Sequence, residues 1–462
     1  MGIENFHKWI KNTFPKCFIS TRNNIYDYIY IDVNFILHNV IYKCPDISAF
    51  EKNLKFYLNS ILFNFLPRKG VIFVIDGSAT YSKILLQRRR RLQISKNVNL
   101  DKLNPLHLTP GTDLMLKVTE FLESYIKSIR SMYSENITID FHIDPTTNPD
   151  EGDIKIIRHI INRSSDVDNT HIIFGNDADL IVIALSAVST SNIYLLLRFK
   201  SESFLLSINR LICNITELCL PKLSMSINIW HCKDLEFRKD FALISILLGN
   251  DYLPKLNYIN PSLLWQCYLQ TINNHAINHH LLNLFDNDRF NINLLREFFL
   301  EICMSGNKKN RDINLIEYKP DKIKNYLDGL LWCMHMYSKG RCSMYDYHFN
   351  YNKAPSVQDI VYYLYSQKYE NILPTSATIA VPIDFYTCLA LPFAAKDMIS
   401  EKYYKIIKRK MPELYNCEMA YINNKGNDCD QSDQEHYSSN NVSRIIQLKD
   451  IKKLITVIKN IS

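Results

Sequence analysis

Short apolar runs, each closed by a turn signal and followed by apolar positions at helical spacing, recur through the first half of the chain, the pattern of strands alternating with helices. Tyr26–Asn34 predicts a strand ending on Asp32, with Asn34 and His38 opening a helical stretch. Gly70–Gly77 predicts a second strand, ending on Asp76 before a glycine turn, and Ile137–Ile143 alternates like a third. His171–Phe174 is a fourth, running into Gly-Asn-Asp, and Asn192–Phe199 a fifth. Helical spacing covers Met1–Phe14, Asp113–Ile129 with Thr112 as N-cap, Ile154–Asn162, Asp240–Leu248 and Ile323–Lys339. Residues 255–320 predict mostly helix, rich in Asn and Leu. This is an α/β chain built on a mostly parallel sheet, with a mainly helical C-terminal region. Towards the end, Asn423–Asn441 is polar and predicts a disordered linker, and Val442–Ile461 an amphipathic docking helix.

Composition changes this picture little. The 462 residues allow two to three domains, and 47% hydrophobic with 22% charged residues is ordinary for a globular protein. Net charge is +7, which suits a polyanionic partner only where the charge is clustered. Twelve cysteines without a C-x-x-C pair argue against structural zinc and predict reduced thiols in an intracellular protein. No apolar run has the length needed to span a bilayer.

The candidate chemistry lies at the strand ends. Asp32, Asp76, Glu151, Asp153, Asp177, Asp179 and Asp251 all fall at strand termini or turns that a parallel sheet would gather on one edge. Gathered carboxylates repel one another and resist ionisation unless cations sit among them, and oxygen-only ligation selects Mg²⁺ or Mn²⁺. Local readings compete. Glu151 and Asp153 also suit a capping pair at a helix N-terminus, and Asp251 in Gly-Asn-Asp suits a simple turn. After Asp76 comes Lys83-Ile-Leu-Leu-Gln-Arg-Arg-Arg-Arg91. Lys83, Gln87, Arg90 and Arg91 share one helix face, where they would hold a phosphate, although such runs are often solvated faces or localisation signals.

In order and spacing these stretches resemble the Xrn family of 5′→3′ exoribonucleases, within the PIN-like and flap-endonuclease-like metal nucleases. The resemblance rests on Met1-Gly2 leading to Trp9, Asp32-Val-Asn34 with His38, Asp76-Gly77, the Lys83–Arg91 run, and Thr109-Pro-Gly-Thr112. It continues through Glu151-Gly-Asp153, Gly175-Asn-Asp-Ala-Asp-Leu180, Gly249-Asn-Asp-Tyr-Leu-Pro254, Gly329-Leu-Leu-Trp332, Ala354-Pro355 and Leu391-Pro392. It implies a PIN-like catalytic domain over residues 1–260, a helical second conserved region over 261–420, a linker over 421–441 and a C-terminal helix over 442–462. It further implies that the seven acids hold two Mg²⁺ or Mn²⁺ ions, that Lys83, Gln87, Arg90 and Arg91 bind a 5′-monophosphate, and that His38 stacks on the terminal base. The implied activity is hydrolysis of 5′-monophosphorylated single-stranded RNA to mononucleotides by a cytoplasmic monomer, with a decapping enzyme as partner.

Departures from the family pattern are specific. Asp153 stands where the family has Glu, and Ile154 replaces a histidine. The family's tryptophan partner for the histidine is missing from Cys342–Tyr347, so stacking would pass to Tyr345 or Tyr347. The family's additional C-terminal domains have no counterpart, which suits a compact, viral version. Two rivals carry other functions. A flap-type DNA nuclease would show a glycine-bearing hairpin after Asp251, and Leu253–Pro261 has none. An inactive RNA-binding scaffold would have lost acids, and all seven positions are acidic.

Overall fold

A computed structural model describes residues 6–19, 25–130, 139–163, 166, 168–175, 177–187, 192–199, 202–220, 236–273, 280–283, 289–305, 318–423 and 446–460. Of the linker expected over 421–441, residues 421–423 instead end the helix Pro412–Asn423, and 424–441 lie outside the described residues, as do Met1-Gly2 and Asn176. The chain divides into two compact units, one of Met1–Ile31 with Asp153–Thr378, the other of Asp32–Gly152 with Ile379–Ser462. Each is assembled from two distant stretches of sequence.

The strands are β1 (Phe18–Ile19), β2 (Ile25–Asp32), β3 (Leu66–Val74), β4 (Asp140–Asp144), β5 (His171–Phe174), β6 (Ile193–Phe199) and β7 (Glu202–Ser207). They form a mixed, mostly parallel seven-stranded sheet flanked by helices, as the alternating pattern predicts. In the first unit the order is β1-β7-β6-β5-β2, with β5 parallel to both β2 and β6 and β7 antiparallel to β1 and β6. Ile31 pairs with Phe174, so β2 and β5 end level with one another. In the second unit β3 runs parallel to β4, Val74 opposite Asp144. Ile29, Ile31, Ile172 and Ile173 are fully buried, the near-continuous apolar character expected of parallel strands covered on both faces.

Element boundaries follow local chemistry. The second strand ends on Asp32, as its sequence predicts, where the Asp32 carboxylate caps the helix Val33–Ile41, its Oδ1 accepting the Phe35 N–H at 3.2 Å. Thr112 does not cap its helix through its side chain: the hydroxyl donates to the Thr109 carbonyl at 3.0 Å and to the His107 carbonyl at 2.5 Å. Between residues 255 and 320, besides the helices Pro261–Asn273 and Ile292–Ser305, two short strands, Leu282–Asn283 and Arg289–Phe290, pair antiparallel, which the apolar pattern does not predict. The C-terminal helix is Leu448–Lys459, and Ile446, Ile451, Leu454 and Ile455 bury themselves in the second unit's core. No helix among the described residues is long and apolar enough to cross a membrane.

Candidate active site

In the second unit the acids and the basic helix face share one place. Asp76 lies two residues beyond β3. Its backbone N–H donates to Asn34 Oδ1 at 2.9 Å, and its carbonyl accepts the Thr146 hydroxyl at 2.8 Å. Its Oδ1 accepts the Gly152 N–H at 2.6 Å. Gly152 opens the helix Gly152–Asn162, so the carboxylate also meets the positive end of that helix. A Cβ on Gly152 would stand 3.0 Å from Asp76 Oδ1 and 3.6 Å from Asp32 Oδ1. Two carboxylates therefore converge on a backbone position kept clear of side chain. Beside them Glu151 Oε1 accepts from Lys83 Nζ at 2.7 Å, both side chains largely buried.

Lys83 belongs to the helix Tyr81–Asn97, whose consecutive arginines point in different directions. Arg88 is fully buried, its Nε 2.8 Å and Nη2 3.1 Å from the two oxygens of Glu418. Its Nη1 donates to the carbonyls of Cys388, Leu389 and Leu391. Arg89 Nη2 donates to the Ile446 carbonyl at 3.2 Å. Arg91 turns back along the Lys83 face, where its Nη1 donates to Gln87 Oε1 and its Nε to Thr109 Oγ1 at 2.6 Å. Arg90 is half-buried. His38 is exposed on the neighbouring helix Val33–Ile41; desolvation lowers its pKa, with Asp76 acting upward and Arg91 downward.

Sequence reasoning missed Tyr386, from the helix Ile383–Ala390. Its ring is buried, and its phenol pKa is raised by burial, with Arg91 and Lys83 lowering it and Glu151 and Asp76 raising it further. It therefore lies among the groups just described. No local signal marks it, since more than 230 residues of sequence separate it from Glu151.

The first unit gathers the remaining acids. Asp177 Oδ1 accepts the N–H of Asp179, the first residue of the helix Asp179–Ser186, at 3.2 Å. Burial raises the Tyr337 phenol pKa well above its ordinary value, and Asp179, Cys333 and Asp153 push it further, which puts Asp153 and Asp179 near the same hydroxyl. Asn250 Nδ2 donates to that hydroxyl at 3.1 Å. Asn250 Oδ1 meanwhile accepts from the Tyr252 and Leu253 N–H groups at 3.0 and 2.8 Å, folding the turn that bears Asp251. His7, another residue missed, reaches the Asp177 backbone; burial lowers its pKa and Asp177 opposes that shift.

Tyr347 does not offer the stacking face expected of it. Tyr347 is 4% exposed, its ring is stacked on the buried Trp332 at 4.8 Å, and its hydroxyl donates to the Asn325 carbonyl at 2.6 Å. It is a core residue with no face left for a base. Tyr345 is half-buried. A metal cage of three or more His, Cys, Asp or Glu side chains is not present among the described residues. The donor chemistry nevertheless fits a hard divalent cation, because Asp32 and Asp76 both offer carboxylate oxygens beside Gly152.

The model of the XRN 5′-3′ exonuclease N-terminus matches residues 1–107 and 96–198. Over its first 198 residues the chain is therefore similar to the N-terminal part of the Xrn family. Among curated relatives, 5′-3′ exoribonuclease 1 of Saccharomyces cerevisiae is 28% identical over 299 residues, covering 55% of this chain and 19% of that protein. The protein of the same name from Schizosaccharomyces pombe is 27% identical over 298 residues, 55% of this chain and 22% of that one. The human protein of that name is 26% identical over 311 residues, 56% and 18%. The chain thus spans about a fifth of the length of the curated relatives it matches. Among solved structures, the catalytic core of Rad2 in complex with DNA substrate is 12% identical, with a TM-score of 0.36, over 68% of this chain and 78% of that one.

Proposed function

We propose that this chain is a 5′→3′ exoribonuclease that hydrolyses 5′-monophosphorylated single-stranded RNA to mononucleotides with divalent cations. The observation that carries the reading is the Lys83–Glu151 ion pair, which joins the basic face of the Tyr81–Asn97 helix to the acids around Gly152. Lys83, Gln87, Arg90 and Arg91 bind the terminal phosphate through charge-assisted hydrogen bonds, Arg91 being oriented in advance by Thr109 and Gln87. Asp32, Asp76, Glu151, Asp153, Asp177, Asp179 and Asp251 are the ligands for two Mg²⁺ or Mn²⁺ ions. Bound there, the cations supply an activated water and a counter-charge for the leaving 3′-oxygen. His38 stacks on the terminal base, and Tyr345 is the remaining aromatic candidate for that role.

A pocket that anchors the 5′-phosphate fixes which phosphodiester reaches the acids, so one nucleotide leaves per cycle. The same pocket rejects triphosphorylated and capped ends by size. The enzymes that would supply its substrate are those that expose 5′-monophosphates, such as a decapping enzyme, acting on RNA in the cytoplasm with this chain as a monomer. Relatives named as exoribonucleases support RNA over DNA.

The test is degradation of one end-labelled strand in Mg²⁺, as RNA and as DNA, with 5′-monophosphate, 5′-hydroxyl or 5′-triphosphate, by wild type and Asp177→Ala. Mononucleotides from 5′-monophosphate RNA alone, lost with Asp177→Ala or with chelator, support the reading. Internal cuts in branched DNA, or RNA binding without cleavage, replace it with a flap-type nuclease or a scaffold.

A further inference from the structure

Tyr386 is held in place more firmly than a pocket-lining residue requires. The helix Ile383–Ala390 and the turn after it are tied to the basic helix by Arg88, whose guanidinium binds the carbonyls of Cys388, Leu389 and Leu391. On the other side Thr387 Oγ1 donates to the Pro110 carbonyl at 2.8 Å. That approach needs glycine at position 111, where φ is +86° and a Cβ would lie 2.2 Å from Thr387 Oγ1. The result is a ring 2% exposed, in electrostatic contact with Lys83, Arg91, Asp76 and Glu151.

Buried tyrosines ordinarily give their hydroxyl a partner, as three others in this chain do. Tyr268 donates to Asp240 at 2.8 Å, Tyr326 to the Pro254 carbonyl at 3.2 Å and Tyr369 to Asp328 at 2.8 Å. The Tyr386 hydroxyl has no hydrogen-bond partner among the described residues, and it is not sealed from solvent. A phenol set beside a lysine and an arginine and lacking an acceptor is a donor waiting for one. We propose that Tyr386 completes the 5′-phosphate pocket, its hydroxyl donating to a non-bridging oxygen of the terminal monophosphate held by Lys83 and Arg91. The inference rests on the phosphate-pocket reading above. Its chemistry is a neutral donor added to cationic ones, which binds the phosphate without adding positive charge beside the acids.

The test is equilibrium binding, in chelator to prevent cleavage, of one fluorescent RNA with a 5′-phosphate or a 5′-hydroxyl to wild type, Tyr386→Phe and Lys83→Ala. Tyr386→Phe keeps the ring and removes only the donor. It is expected to cut the ratio of 5′-phosphate to 5′-hydroxyl affinity about tenfold while leaving 5′-hydroxyl affinity and the melting temperature unchanged. An unchanged ratio in Tyr386→Phe, with the ratio lost in Lys83→Ala, overturns the role of Tyr386 and leaves the pocket standing. Equal weakening of both RNAs by Tyr386→Phe also overturns it, because the hydroxyl then serves something other than the phosphate. A wild-type ratio near one removes the pocket itself and the proposal with it.

Discussion

Lys83 Nζ stands 2.7 Å from Glu151 Oε1, so the lysine proposed for the phosphate and a glutamate proposed for the cations are, in the ligand-free protein, each other's partner. A phosphate arriving at Lys83 competes with Glu151 for the ammonium, and a cation arriving at Glu151 releases it. Phosphate and cation are therefore expected to bind cooperatively. Lys83→Met should reduce discrimination between 5′-phosphate and 5′-hydroxyl RNA by tenfold to a hundredfold, the range of roughly 1.5 to 3 kcal/mol for a hydrogen bond to a charged group. Glu151→Gln should slow hydrolysis yet bind 5′-phosphate RNA at least as well as wild type without metal. A double-mutant cycle on that binding should show coupling, and strict additivity of the two substitutions would mean the pair does not act as a unit.

Gly152 offers a cleaner probe of the acids, because its Cα faces Asp76 and Asp32. In Gly152→Ala the new methyl would sit 3.0 Å from Asp76 Oδ1, which must move to admit it. Alanine suits the first turn of a helix, so the fold should lose no more than about 1–2 kcal/mol. Hydrolysis is expected to fall at least tenfold, measured as initial rate on 5′-monophosphate RNA beside a urea unfolding curve. Full activity would show that Asp76 need not hold its observed position.

Most of the sheet was legible because parallel strands declare themselves through short apolar runs, and the acids because each sits where such a run ends. Asp32, Asp76 and Asp177 need no tertiary information to be noticed. The sorting of Arg88 to Arg91 was only half legible. Helical geometry places Lys83, Gln87, Arg90 and Arg91 on one face, yet nothing local shows that Arg88 is a core residue paired with Glu418, 330 positions away. Tyr386 was invisible for the same reason, its neighbours being brought to it by long-range packing. Gly329 was noticed only as part of a motif; its physical meaning is that a Cβ there would stand 2.3 Å from the Tyr347 hydroxyl.

The Arg88–Glu418 pair makes a stability prediction. Both side chains are fully buried, and Glu418 Oε2 also accepts the Phe393 N–H at 3.0 Å. Removing one partner strands a buried charge, so Glu418→Ala should cost about 3–5 kcal/mol. Loss of the pair also frees the helix that carries Lys83 and Arg91, so discrimination for 5′-phosphate should weaken in any fraction that stays folded. Chemical denaturation of Glu418→Ala and Glu418→Gln measures the first effect. A cost below 1 kcal/mol would mean that the site relaxes to let water in.

Base stacking separates two residues that the sequence placed together. Tyr347 packs on Trp332 at 4.8 Å and gives its hydroxyl to the Asn325 carbonyl, so its work is inside the first unit. Tyr347→Phe should cost about 1 kcal/mol of stability through that hydrogen bond, and Tyr347→Ala about 3–5 kcal/mol through the lost ring. Neither should alter how far the protein travels along RNA per encounter, provided it is folded at the assay temperature. His38 is exposed on the helix that Asp32 caps, and a stacked base is worth roughly 1 to 3 kcal/mol. His38→Ala should therefore shorten the run of nucleotides removed before dissociation, with little change in stability. Product lengths from labelled RNA chased with excess unlabelled RNA, beside thermal melts, distinguish the two behaviours. If Tyr347→Phe shortens the run as much as His38→Ala, the tyrosine contacts the RNA after all, and Trp332 must release it when substrate binds.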